Sequence, residues 1–155
     1  ITAVALLRLL LVTGATGNGR MRLEELARAV RTYPEEAERL LAEARALDPQ
    51  RRVPGMTARD LYVEGTAYVF GAAESPGRAA IVSLFRLHEG ADPDLLRARV
   101  LKEAVRVVGR TAGLGDCNHP RCAMHPAATV AALDAKTSRL CAACLLQANR
   151  RLRRR

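Results

Sequence analysis

Residues 113–144 read GLGDCNHPRCAMHPAATVAALDAKTSRLCAAC. They hold all four cysteines of the chain, Cys117, Cys122, Cys141 and Cys144. The cysteines form a C-x4-C pair and a C-x2-C pair with eighteen residues between them. Two short-spaced pairs on two loops can surround one tetrahedral ion. Zn²⁺ suits such a set, because four thiolates at about 2.3 Å satisfy it and a structural site needs no open position. Two disulfides are the other use of four cysteines, but paired short spacings fit a metal better than a scattered framework. From Leu145 onward the pattern is helical. Cys144 is therefore expected at a helix start, where partial positive charge favours a thiolate.

The order Gly113-Leu114, Cys117-x4-Cys122, Met124, Asp134-x-Lys136, Leu140-Cys141-x2-Cys144 resembles the archaemetzincin family of zinc peptidases. In that family a helix bearing H-E-x-x-H-x-x-G-x-x-H runs into a cysteine. The C-x4-C pair, a Met-turn and the closing C-x2-C follow. The resemblance implies one structural zinc on the four cysteines and a Met-turn at Met124, beside a catalytic zinc on the helix.

The catalytic half departs from the pattern. With Gly113 on the motif glycine, the three histidine positions fall on Arg106, Arg110 and Asp116, and the glutamate position on Val107. Arginine has no lone pair for a metal and stays charged. Valine cannot take a proton from water. No catalytic residue is therefore assigned, and the chain reads as an inactive relative of a zinc peptidase. Because three ligands of one ion must converge, Asp116 is expected to pair with one of the two arginines, Arg110 being nearer in sequence.

A second part of the resemblance lies upstream. Asp60-Leu61-Tyr62, Tyr68-Val69-Phe70-Gly71-Ala72-Ala73 and the run 79–87 are similar to the family's D-L-Y, F-V-F-G-x-A and V-I-S-L-x-R-L segments. Independently of any family, residues 66–73 and 79–87 read as two strands joined through Ser75-Pro76-Gly77. The second is almost wholly apolar, so it belongs at the centre of a sheet. The first contains Gly71 and suits an edge. In metzincins such an edge pairs with a substrate backbone, so Tyr68, Val69, Phe70, Gly71 and Ala72 become the candidate peptide-binding strand.

Asp92-Pro93-Asp94 opens a helix, with proline at its first position and acids in the first turn. Leu96, Val100, Leu101, Ala104, Val105 and Val108 form its apolar stripe, and it stops at or before Gly113. It carries Arg106 and Arg110 one turn apart on one face.

The first third matches the family poorly. Residues 4–12 read as a buried strand, followed by a turn with Gly14, Gly17 and Gly19, then a helix through Leu23, Leu26, Ala27 and Val30. That turn has the composition of a phosphate cradle but not the G-x-G-x-x-G spacing, and nucleotide binding is a minor alternative. Thr32-Tyr33-Pro34-Glu35 opens another helix with capping-box spacing, ended by Asp48-Pro49.

Composition bounds the rest. The chain has 155 residues, 49% of them hydrophobic, no tryptophan, and a net charge of +9. That suffices for one domain with an aliphatic core. The expected class is α+β. A small twisted mixed sheet, mostly parallel with an antiparallel edge strand, packs with three helices and is closed by a zinc-stapled C-terminal lobe. Residues 1–91 form the sheet-containing part, 92–113 the degenerate active-site helix, and 114–155 the Met-turn, the four-cysteine zinc lobe and the basic C-terminal helix. Arg150, Arg151, Arg153, Arg154 and Arg155 end the chain. Such a tail suits a frayed helix end or nucleic acid, a second partner class beside an extended peptide. An active protease with a non-standard site is the remaining alternative. No run is long enough for a membrane span. Few, paired cysteines fit a reducing cytoplasm. A cytoplasmic monomer holding one zinc is the resulting expectation. His88, His119 and His125 are read as loop or surface residues.

Overall fold

A computed structural model describes residues 54–63 and 65–152. The expected strand at 4–12, the glycine turn, the first two helices and Arg153 to Arg155 lie outside the described residues. Among those described, three strands and three helices occur in the order β1 (Pro54–Thr57), β2 (Gly71–Ala73), β3 (Ala80–Ser83), α1 (Pro93–Thr111), α2 (Val130–Ala135) and α3 (Ala142–Leu152). The sheet order is β1-β3-β2. β1 runs parallel to β3, and β2 antiparallel to it. The mixed α+β architecture with an antiparallel edge is thus present. Helix α2 and strand β1 are additions that the sequence reading did not place.

β3 is central and buried along its whole length, as its apolar run demands. It is shorter than the expected 79–87. Ser83 Oγ accepts the Phe85 N–H at 3.2 Å, which bends the chain out of the ladder. A 3₁₀ turn, Arg86–His88, follows instead. The paired part of the edge strand is likewise shorter than 66–73. Val69 instead forms an isolated antiparallel bridge with Leu61, its N–H reaching Leu61 O at 2.7 Å, and the regular strand spans only Gly71–Ala73.

α1 begins as its sequence dictates. Asp92 accepts the N–H groups of Asp94 and Leu95 at 2.9 and 2.8 Å. It ends in a Schellman motif. Gly113 has φ +75°, its N–H reaches Arg110 O, and Leu114 N–H reaches Gly109 O. The glycine of the motif is required by backbone geometry, whatever the metal chemistry. α1 packs Val100, Ala104 and Val107 onto Phe70, Val82 and Leu133 to form the main core. Arg99, buried in this helix, forks onto Asp134 at 2.7 and 2.8 Å and also donates to Leu87 O and Glu89 O. One guanidinium thereby ties α1 to α2 and to the 3₁₀ turn.

Two motif segments far apart in sequence meet directly. Arg86 makes a bidentate pair with Asp60, at 2.7 Å for the shorter bond, and lies 4.0 Å over the Tyr68 ring. This places the edge segment relative to the end of β3.

Candidate metal centre and adjoining cleft

The four cysteines converge. None is in a disulfide, and their sulfurs all lie within 4.8 Å of one another. Cys117 and Cys141 are 3.7 Å apart at Sγ. A tetrahedral zinc with bonds of about 2.3 Å sets its sulfurs about 3.8 Å apart, so the quartet is near the required size. Backbone donors are already aimed at the sulfurs. His119 N–H points to Cys117 Sγ at 3.4 Å, and Cys141 N–H to Cys122 Sγ at 3.3 Å. Such donors suit a thiolate, the form a metal needs. The donor set and its spacing therefore fit one zinc per chain.

The helix-start effect falls on a different cysteine from the one expected. α3 starts at Ala142, so Cys141 sits immediately before it. The Cys144 backbone N–H, reaching back to Cys141, brings that thiol down to about 7. Cys144 itself is pushed up, chiefly by burial and then by its sulfur neighbours. His119 is exposed and belongs to the C-x4-C loop without joining the sulfur quartet. His125 Nδ1 contacts Cys117 O at 2.8 Å.

Met124 is fully buried beside Leu114, Cys122, Cys144 and Ala148. It also lies against Gly109 of α1, where a Cβ would come within 2.5 Å of its sulfur. Lys136 holds this turn from behind. Its Nζ donates to Ala123 O and His125 O, the carbonyls either side of Met124, both at 2.9 Å. Burial brings the Lys136 ammonium down to about 8, against the pull of Glu103.

A cleft of about 330 Å³ opens between the β2 segment, α1 and residues 126–128. Glu103, Arg106, Val107 and Arg110 line its α1 side. Tyr68, Val69, Phe70, Gly71 and Ala72 line the opposite wall, so the candidate peptide strand does border a groove. The register exposes its edge. Phe70 O receives Ser83 N–H, and Glu74 N–H reaches Ala79 O. By antiparallel alternation Ala72 serves β3, while the N–H and C=O of Gly71 and Ala73 point away from it. Among the described residues no named strand pairs with Gly71–Ala73 on that side, although Val69, next along the edge, is bridged to Leu61.

Arg106, Arg110 and Asp116 meet as the convergence argument requires. Arg106 Nη2 donates to Asp116 Oδ1 at 3.3 Å, while Arg110 Nη1 stands at 3.6 Å from the same oxygen. The hydrogen-bonded partner is thus Arg106, not Arg110. The reason is that Arg106 is anchored on its other side by Glu103, 3.3 Å away, which holds its guanidinium over the loop. Glu103 is almost wholly buried; burial pushes its carboxyl up, opposed by Arg106 and Lys136. Val107, at the glutamate position, is fully buried. It packs against Gly71, where a Cβ would meet its Cγ1 at 2.8 Å. Glu103 carried no signal in the sequence; Lys136 was part of the Asp134-x-Lys136 pattern, but its two carbonyl partners were not readable from it.

Arg150 and Arg151 lie in the last turn of α3, and Arg151 Nη1 reaches Gly113 O at 3.4 Å. Part of the basic tail is therefore tied to the end of α1. Among the described residues no helix is long and apolar enough to cross a membrane.

The chain is similar to known proteins over most of the described residues. The family model described as peptidase family M54 matches residues 51–150. The archaemetzincins of Methanopyrus kandleri and Archaeoglobus fulgidus are 43% and 40% identical over 100 residues each, covering 63% and 64% of this chain. The chain spans 57% and 61% of the length of those two relatives. The crystal structure of the Methanopyrus kandleri archaemetzincin superposes with a TM-score of 0.68 at 38% identity, covering 76% of this chain and 65% of that one. A zinc-dependent peptidase from Methanocorpusculum labreanum superposes at 0.58 with 36% identity, covering 61% and 52%. With the matched segment running from β1 to the cysteine quartet, this chain belongs to peptidase family M54, the archaemetzincins, a family of zinc metallopeptidases.

Proposed function

We propose that the chain is a catalytically inactive archaemetzincin relative. It keeps a structural zinc on Cys117, Cys122, Cys141 and Cys144, and uses the cleft beside β2 to hold an extended peptide without cutting it. The observation that carries this reading is the state of the four degenerate positions. Arg106 and Arg110 are drawn to Asp116, and Val107 is buried in the core. The histidine donor set is missing, Val107 stands at the base position, and the two nearby carboxylates, Glu103 and Asp116, are engaged by the arginines. The zinc in the quartet would act as a cross-link between the 117–122 loop and α3, with its coordination filled by thiolates and no position for substrate. The edge groups of Gly71 and Ala73 support strand addition as the docking mode. The protein acts in this reading as a single-chain, cytoplasmic module away from membranes.

The test has two arms. Metal analysis of the purified protein gives one zinc per chain. Incubation with added zinc and a mixture of unfolded proteins and peptides gives no chelator-sensitive cleavage. Turnover that disappears on Asp116→Ala would assign the chain instead to the active proteases with a non-standard site.

A further inference from the structure

We propose that the cleft beside β2 selects an extended peptide carrying an aspartate or glutamate side chain at the position that pairs with Gly71. This rests on the peptide-docking reading above and specifies its ligand. The cleft wall contributed by α1 holds two guanidiniums one turn apart, Arg106 and Arg110. Their only acceptors among the described residues are Glu103 and Asp116. These leave donors over. Arg106 Nε–H is buried with no acceptor, which is costly for a charged group. Arg110 is about one-third exposed and sits outside hydrogen-bond range of Asp116 in its single contact, at 3.6 Å.

The register shows how a carboxylate would arrive. A Cβ on Gly71 would point at Glu103 and Val107, so that face of β2 looks onto α1. Directly paired residues on neighbouring strands present their side chains to the same face. A residue added opposite Gly71 therefore also faces α1, and Gly71 offers no side chain to obstruct it. Glu103, Arg106, Val107 and Arg110 occupy that wall of the cleft. An acidic side chain entering there meets the guanidiniums, and planar carboxylate–guanidinium pairing is strong in a partly dry site. A peptide's terminal carboxylate, lying in the plane of the sheet, does not face α1 in the same way. Asp116 already engages both guanidiniums from the loop side, and its 52% exposure lets it give way. It then acts as a built-in competitor for the incoming carboxylate.

The competitor supplies a signature that general attraction to a basic protein does not. The zinc-loaded protein is titrated with a blocked, valine- and threonine-rich pentapeptide whose central residue is glutamate, and with its glutamine counterpart. The glutamate peptide is expected to bind roughly tenfold tighter or more. Arg110→Gln should abolish that preference. Arg97→Gln, an equal charge change on exposed surface, should preserve it, and Asp116→Asn should strengthen binding several-fold. Equal binding of the two peptides overturns the acidic preference while leaving the groove. Binding of neither overturns the docking reading itself. Tighter binding of a shortened peptide ending in a free carboxylate, or an Asp116→Asn variant that binds more weakly, overturns the assignment of the ligand as a side chain.

Discussion

Arg106 Nη2 and Asp116 Oδ1 stand 3.3 Å apart, joining the middle of α1 to the loop that leads into the cysteine quartet. In the family pattern those two positions would share a metal; here they share a proton donor and an acceptor. The link is open to solvent, with Asp116 about half exposed. Asp116→Ala is therefore expected to cost no more than about 1 kcal/mol. Arg106→Met should cost more, on the order of 2–3 kcal/mol, because it strips a partner from buried Glu103. Urea unfolding of the two variants gives the comparison. An equal loss would mean that Asp116, not Glu103, anchors the arginine.

Removal of one zinc ligand should act on fold and metal together. Cys141→Ser is expected to abolish stoichiometric zinc and to lower the melting temperature sharply, since binding and folding of such lobes are coupled. His119→Ala, in the same loop but outside the quartet, should retain one zinc. A Cys141→Ser protein with unchanged metal content would exclude the four-sulfur site.

Gly71 is where β2 comes flush against α1. A Cβ there would lie 2.8 Å from both Ile81 O and Val107 Cγ1. Neither is the end of a flexible side chain, so the strand must move. Gly71→Ala should destabilise by about 1–3 kcal/mol. The loss should appear in the denaturant midpoint without change in zinc content, because no cysteine is among the groups that the added methyl would meet.

Lys136 makes a pH-dependent contribution with a definite sign. Burial holds its ammonium at about 8 in the folded protein, below the ordinary 10.5. Between those values the unfolded chain binds more protons, so stability rises as pH increases through that window. The size is on the order of 3 kcal/mol at most. Unfolding of the zinc-loaded protein at pH 8 and pH 10 should show the rise, and Lys136→Met should flatten it. A fall with pH in the wild type but not in Lys136→Met would reverse the assignment.

What the sequence showed and what it hid follow from range. The cap at Asp92, the stop at Gly113 and the burial of β3 are set by residues close in the chain, and they were legible. So was the quartet, because its spacing is itself local. Strand lengths were not. Residues 66–69 have strand-like composition, but Val69 pairs with Leu61 in an isolated bridge, and no local pattern announces that pairing. α2 was hidden because six residues give too short a period to register, although Thr129 caps it at the Ala132 N–H. Glu103 gave no signal, and Lys136, though part of the Asp134-x-Lys136 pattern, gave no sign of its contacts, for a related reason. Each becomes meaningful only when α1 packs beside the Met124 turn and brings these two distant residues under one another's influence.

At Arg106, Arg110 and Asp116 the convergence expected of a metal site is present in geometry but not in donor chemistry. Arg106 and Arg110 both approach one Asp116 oxygen, at 3.3 and 3.6 Å. Three side chains from those backbones therefore already reach a common point. The backbone that delivers them is intact, since Gly113 keeps its left-handed turn and Met124 is buried against Gly109. Only the donor atoms are wrong. The triple substitution Arg106→His, Arg110→His, Asp116→His should then raise the metal content from one zinc per chain to two. Histidine is shorter than arginine, but shorter side chains are what an ion at about 2.1 Å from each nitrogen requires. The variant loses the cation beside Glu103, so it should be less stable without metal and regain stability as zinc is added. Peptidase activity is not expected to return with the metal. Val107 is buried against Gly71, and no carboxylate stands where the family places its base. A triple variant that still binds a single zinc would mean that the arginines reach Asp116 only by their length, and that the helix and loop have moved apart.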